Sequence, residues 1–220
     1  MTDTNPRRAG AAEVSLAVGY APAPARAALT ALLALDATLG GIVRATREPI
    51  IGQMRLTWWH DALTKLDVAP PPAEPVLQAL ATLVVPSVGG AVLANMIDGW
   101  EALLEPELDD EAIALFAAGR GEGLFHAMAM ICGVSDPQIA LAGRGWALAD
   151  LSQRVRDPKL AGMIRQSAIA ALNDAMTGVW PRGARALGAL ALLARADLRG
   201  EAPGSPKRIG RILIHRLTGR

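Results

Sequence analysis

Asp36 is the first residue of this 220-residue chain whose setting suggests chemistry. It lies on an apolar stripe with Leu29, Leu32, Leu33 and Val43 at helical spacing, so it is expected to point into a core. A buried carboxylate is costly unless it is paired or hydrogen-bonded. Asp36 is therefore either a ligand or polar pocket residue, or a carboxylate satisfied by an arginine or by helix-end amides. Arg55 lies three and four residues before Trp58 and Trp59, so its guanidinium can stack on either ring or reach a carboxylate. The two tryptophans diverge by about 100° on a helix, and both bury only if that helix packs on a wide face. They either pack in the core or line a pocket for apolar chains.

Other motifs are weaker. Gly119-Arg120-Gly121-Glu122-Gly123 invites a phosphate-loop reading, but no strand precedes it and no Lys-Ser/Thr follows. Its glycines are expected to let helices approach closely. His60, His126 and His215 have no metal-ligand spacing, and His126, in an apolar run, is expected to be a core histidine. Cys132 has no cysteine to pair with and is expected to be a buried small hydrophobe in a reducing compartment.

These residues need helices to position them. Hydrophobic residues make up 51% and charged residues 20%, which excludes a largely disordered chain. Ala and Leu dominate, favouring helix over strand. Residues 1–24 read as a flexible leader ending at Pro22 and Pro24, followed by one helical domain over 25–220. Prolines punctuate it into helices near 25–47, 49–66, 74–84, 88–104, 109–132, 136–156, 159–178, 182–197 and 206–218. The last is expected to be a basic amphipathic helix, with Ile209, Ile212, Leu213 and Leu217 among Lys207, Arg208, Arg211 and Arg216. No run of about 18 uncharged apolar residues is present, so no membrane span is expected. The net charge of +1 leaves no footprint for nucleic acid. A cytoplasmic protein is expected, peripheral to the inner membrane if the basic helix meets lipid.

The most informative stretch is 26–63, RAALTALLALDATLGGIVRATREPIIGQMRLTWWHDAL. It resembles the first two helices of the squalene/phytoene synthase family, with Arg26 and the run Ala31-Leu32-Leu33-Ala34-Leu35 matching the family's opening arginine and apolar helix. Glu48, Pro49, Gly52, Arg55, Leu56, Trp58, Trp59, Asp61, Ala62 and Leu63 are similar to one branch of it. That branch holds unassigned bacterial members and the mitochondrial assembly factor of respiratory complex I. The likeness continues weakly through residues 145–157 and the closing Leu-Thr-Gly-Arg.

The resemblance implies an all-α, single-domain bundle of the isoprenoid-synthase type. In that family two facing helices present aspartates one turn apart, holding the Mg²⁺ ions that draw off an allylic diphosphate. Aligned through Arg26, the first aspartate motif falls on Gly40, Gly41, Ile42, Val43 and Arg44. The run from Asp150 through Arg154 to Asp157 matches the approach to the second motif, with Asp157 at its first aspartate, but Ala161 stands one turn later. The resemblance thus implies a pocket drawn from Arg26, Asp36, Arg55, Trp58, Trp59, Asp61, Asp150, Arg154 and Asp157, with no metal and no cofactor. The expected function is non-catalytic: binding an isoprenoid or other lipid, or a protein partner at the membrane, in respiratory complex assembly. Two alternatives stand beside it, an active Mg²⁺-dependent prenyltransferase with a reorganised site and a structural helical interaction module.

Overall fold

A computed structural model describes residues 5–105 and 107–220. Among them there are helices and no strand, in a single domain, as the Ala/Leu composition and the resemblance imply. The helices are α1 (Pro6–Val18), α2 (Arg26–Ala45), α3 (Pro49–Lys65), α4 (Pro75–Leu83), α5 (Val85–Val88), α6 (Gly90–Ala94), α7 (Met96–Glu101) and α8 (Asp110–Phe116). A π-helical segment, Ala117–Glu122, joins α8 to α9 (Gly123–Cys132), and α10 (Pro137–Ser152), α11 (Pro158–Ala175), α12 (Arg185–Leu198) and α13 (Pro206–Thr218) complete the chain. Prolines open α3, α4, α10, α11 and α13, where their missing N–H is not needed. Asp109, Asp136 and Asp157 cap the helices that follow them, each accepting from a first-turn amide.

At the centre, α10 packs against α9, α11, α12 and the π segment, and α2 packs against α4, α7 and α9. Leu29, Leu32, Leu35 and Leu39 of α2 are all fully buried. By length and composition the stretch Ala23–Ala45 could cross a bilayer, but half of its apolar window is buried in the bundle and Asp36 lies within it. It is a core helix. Two close crossings need glycine. A Cβ on Gly121 would strike the backbone of Gly143 on α10, and one on Gly99 would strike the backbone at Gly119 and Arg120. The expected role of the glycine-rich run is thus met.

The structure corrects several expectations. Residues 6–18, expected as part of a loose leader, form α1, which packs on α12. Its Glu13 is 2% exposed and pairs at 2.7 Å with Arg208, a partner too distant in sequence for local patterning to register. The single helix expected over 88–104 is broken into short pieces. Gly89 takes φ +86°, and the Asp67 carboxylate accepts from Gly90 N and Ala91 N at 2.6 and 2.9 Å, restarting the helix. His126 is exposed rather than in the core, because its neighbours Phe125 and Ala127 take the inward positions.

The last helix also departs from expectation. Arg208, Ile212 and His215 form the buried face of α13, while Leu213 and Leu217 are exposed. Arg208 can go inside because Glu13 and Asp197 neutralise it. Cys132 is half-buried, and burial pushes its thiol up to about 11.

Candidate functional site

The candidate site lies where α2, α7, the π segment and α10 meet. Arg120 is delivered there by the π-helical segment and is 5% exposed. Gly119 of this segment and Gly99 of α7 meet backbone to backbone, so the main chain carrying Arg120 lies deep between α7 and α10. A π turn inside a longer helix is a recurrent device for re-aiming one side chain toward a site.

Arg120 Nε donates to Asp36 Oδ1 at 2.8 Å and Nη2 to Asp36 Oδ2 at 3.0 Å, a two-pronged pair. Its Nη1 donates to Asp150 Oδ2 at 2.6 Å. The other oxygen of Asp150 accepts from Arg154 Nε and Nη2 at 3.0 and 2.7 Å. Two arginines and two aspartates thus alternate in one chain of charge-assisted bonds, with no net charge. Burial opposes the Arg120 charge, but Asp36 and then Asp150 outweigh it and hold the guanidinium protonated above its ordinary range. Burial likewise opposes the Asp150 charge, yet Arg120 and Arg154 hold that carboxyl below its ordinary range. Trp100, Phe116 and Trp146 surround the same guanidinium at 4.6, 5.4 and 4.5 Å from its carbon to their ring centres.

A cavity of about 230 Å³ opens beside this network, with Gly40 and Arg44 of α2 facing Asp150 of α10 and Arg154, just past the end of α10, across apolar walls that include Trp100 and Leu151. Gly40 leaves room for the Arg44 guanidinium and the Trp100 ring, both of which a Cβ would meet within 3 Å. This is the gap between the two helices on which the resemblance places its metal-binding aspartates.

The residues present do not fit a Mg²⁺ cluster. Gly40, Gly41 and Arg44 occupy the first motif. Asp36 and Asp150, the carboxylates that do face each other, are both committed to Arg120. Among the described residues no group of three His, Cys, Asp or Glu is arranged to hold a metal. Asp157 is exposed and spends its side chain on the Lys159 amide, one helix beyond the gap, and Ala161 lies further along α11.

Of the expected pocket residues the structure therefore brings together Asp36, Asp150 and Arg154. Arg26 is exposed and donates to the Ala21 carbonyl at 3.0 Å. Arg55 and Asp61 lie on the outer face of α3. Trp58 and Trp59 meet edge to face at 5.5 Å, with Trp59 6% exposed in the core and Trp58 47% exposed. None of these five lines the cavity. The residue that sequence reasoning missed is Arg120. Its signal was present: an arginine flanked by glycines, within an otherwise apolar helical stretch, answers a carboxylate on an apolar stripe.

Comparison with known proteins bears on this arrangement. Neither the curated proteins nor the solved structures give a significant match. The family model described as squalene/phytoene synthase matches residues 7–158, from the first turn of α1 to the first turn of α11. That span is over two thirds of the chain and includes both helices that flank the cavity and all four residues of the Asp36–Arg120–Asp150–Arg154 network. The chain belongs to the squalene/phytoene synthase family.

Proposed function

We propose that this protein is a non-catalytic member of its family, which uses the surface of the bundle to bind a protein partner. The observation that carries this is the filled centre. Where facing helices would need free carboxylates to gather Mg²⁺ and a diphosphate, Arg120 bridges Asp36 and Asp150 beneath three aromatic rings. Freeing those carboxylates would strand a buried guanidinium, at roughly 3–5 kcal/mol. The neighbouring cavity, about 230 Å³, is below the roughly 300–1,000 Å³ of pockets that enclose a whole organic ligand. Residues 48–63 resemble the branch that holds the complex I assembly factor, which supports a role in maturing a respiratory complex at the cytoplasmic face of the inner membrane.

A second reading draws on Arg44 and Gly40. Arg44 makes no salt bridge among the described residues, and its guanidinium folds over Gly40 at the cavity mouth. An isoprenoid or other lipid could set an anionic head there and leave its chain on the apolar walls, with no metal. One experiment separates these readings from prenyl transfer. The protein is incubated with farnesyl or geranylgeranyl diphosphate, with and without Mg²⁺, while diphosphate release and ligand binding are followed. No release is expected. Mg²⁺-dependent release above the no-enzyme control, lost in a folded Asp36→Asn variant, restores the enzyme. Metal-independent binding weakened by Arg44→Gln favours the second reading.

A further inference from the structure

One face of α3 carries large apolar side chains that no other element covers among the described residues. Ile50, Ile51, Met54 and Trp58 are 62%, 47%, 68% and 47% exposed. At about 100° per residue they fall within roughly one quadrant of the helix over its first two and a half turns. Scattered exposed apolar residues are ordinary, but a contiguous set marks a surface that is covered in use.

A groove of about 530 Å³ runs along the same helix, with Pro49 and Gln53 forming its α3 wall. Those two residues are helical neighbours of Ile50 and Met54, so groove and stripe lie side by side. The groove also holds Asp98, Glu101, Glu105, Asp109 and Glu111, supplied by α7, the following turn and the start of α8. Among the described residues none of these five carboxylates takes part in a salt bridge. Burial, and then the Asp98 charge, hold Glu101 above the ordinary carboxylate range, with His60 pulling the other way. The five do not converge on a point that could hold a metal ion. Charge spread along a groove suits a row of cations on one partner.

We propose that the exposed face of α3 and the acidic groove beside it form a docking surface for a basic amphipathic helix of a partner protein. The partner's apolar stripe lies on Ile50, Met54 and Trp58, and its lysines or arginines lie along Asp98, Glu105 and Glu111. This assignment rests on the partner-binding reading above and names the surface and the chemistry. A lipid bilayer suits the groove less well, because an anionic headgroup layer would meet its carboxylates.

The test uses a fluorescent 18-residue Leu/Lys amphipathic peptide and its Leu/Glu counterpart, titrated by anisotropy against the full chain. The Leu/Lys peptide should bind, more weakly as salt rises, and the Leu/Glu peptide should not. Glu105→Lys/Glu111→Lys should weaken the basic peptide by about tenfold and admit the acidic one. Met54→Ser/Trp58→Ser should weaken it by a similar factor, and Asp174→Asn, on α11 outside the groove, should not change it. Each variant is compared at unchanged circular dichroism. No binding, or binding indifferent to both double variants, overturns the proposal. So does co-sedimentation with phosphatidylglycerol vesicles that Met54→Ser/Trp58→Ser abolishes, which makes the stripe a lipid contact. A protein that releases diphosphate yet still shows the peptide pattern removes the non-catalytic reading and leaves the docking surface standing.

Discussion

Replacing Arg120 by Met tests whether the centre of the bundle is held by charge. The substitution keeps an unbranched stem among Trp100, Phe116 and Trp146 but removes the guanidinium. Asp36, 7% exposed, then loses both of its bonds, while Asp150 keeps Arg154. Breaking a buried pair from one side costs about 3–5 kcal/mol, mostly the stranded charge. For a chain of this size each kcal/mol moves the melting temperature by about 2–4 °C, so a drop of roughly 6–20 °C is expected. Adding Asp36→Asn removes the stranded charge and should recover part of the loss, with a coupling of about 1–3 kcal/mol between the two sites. Urea unfolding at pH 7 for the two single variants and the double measures all of this. A loss below about 1 kcal/mol for Arg120→Met, or strict additivity with Asp36→Asn, refutes the reasoning.

The two tryptophans should separate. Trp59→Ala should cost about 3–5 kcal/mol through lost burial and a residual cavity, whereas half-exposed Trp58→Ala should cost about 1 kcal/mol or less. His215 is buried, and burial lowers it from the ordinary 6.5 to about 4. Its neutral form is the folded one, so stability is intact above pH 6.5 and falls as pH drops toward 4, by roughly 3 kcal/mol over that window. His215→Leu should flatten that part of the pH profile; an unchanged slope rejects the assignment. On α13, Leu213, Ile214 and Leu217 are 42%, 60% and 77% exposed beside Lys207 and Arg216. Sedimentation with anionic vesicles at low salt, lost in Ile214→Glu/Leu217→Glu, is the expected sign of lipid contact, and no binding at low salt removes it.

Helix positions were legible from proline and apolar spacing because both act locally. Asp36 could be read as inward-facing from its stripe alone, and an arginine partner was one of the two readings that followed. Arg120 was hidden because a π turn shifts the register by one residue, and the three glycines nearby were read only as places where helices approach closely. The break near residue 89 was hidden for a similar reason: it depends on Asp67, more than twenty residues earlier. Arg208 was misplaced because sequence spacing assigns cations to solvent, and only the tertiary partners Glu13 and Asp197 overturn that. Asp157 matched a motif position by alignment, yet a proline directly after it made a helix cap the simpler use of its carboxylate. Residues 55 and 61 belonged to a recognisable motif whose conspicuous side chains face outward, so family likeness located the helix without locating a cavity.

The Glu13–Arg208 contact has a consequence for how the chain is made. Its two partners lie on the first and last helices, and Glu13 also accepts from the Gly204 amide at 2.8 Å. At translation speeds of about 5–20 residues per second, roughly ten to forty seconds separate the synthesis of one partner from that of the other. During that interval α1 has no counter-ion for its inward carboxylate, and water is the better solvent for it. Docking of α1 on α12 is therefore favoured only once the α13 arginine is in place. The same ion pair ties α1 to α13 across the bundle, so weakening it at either end loosens both.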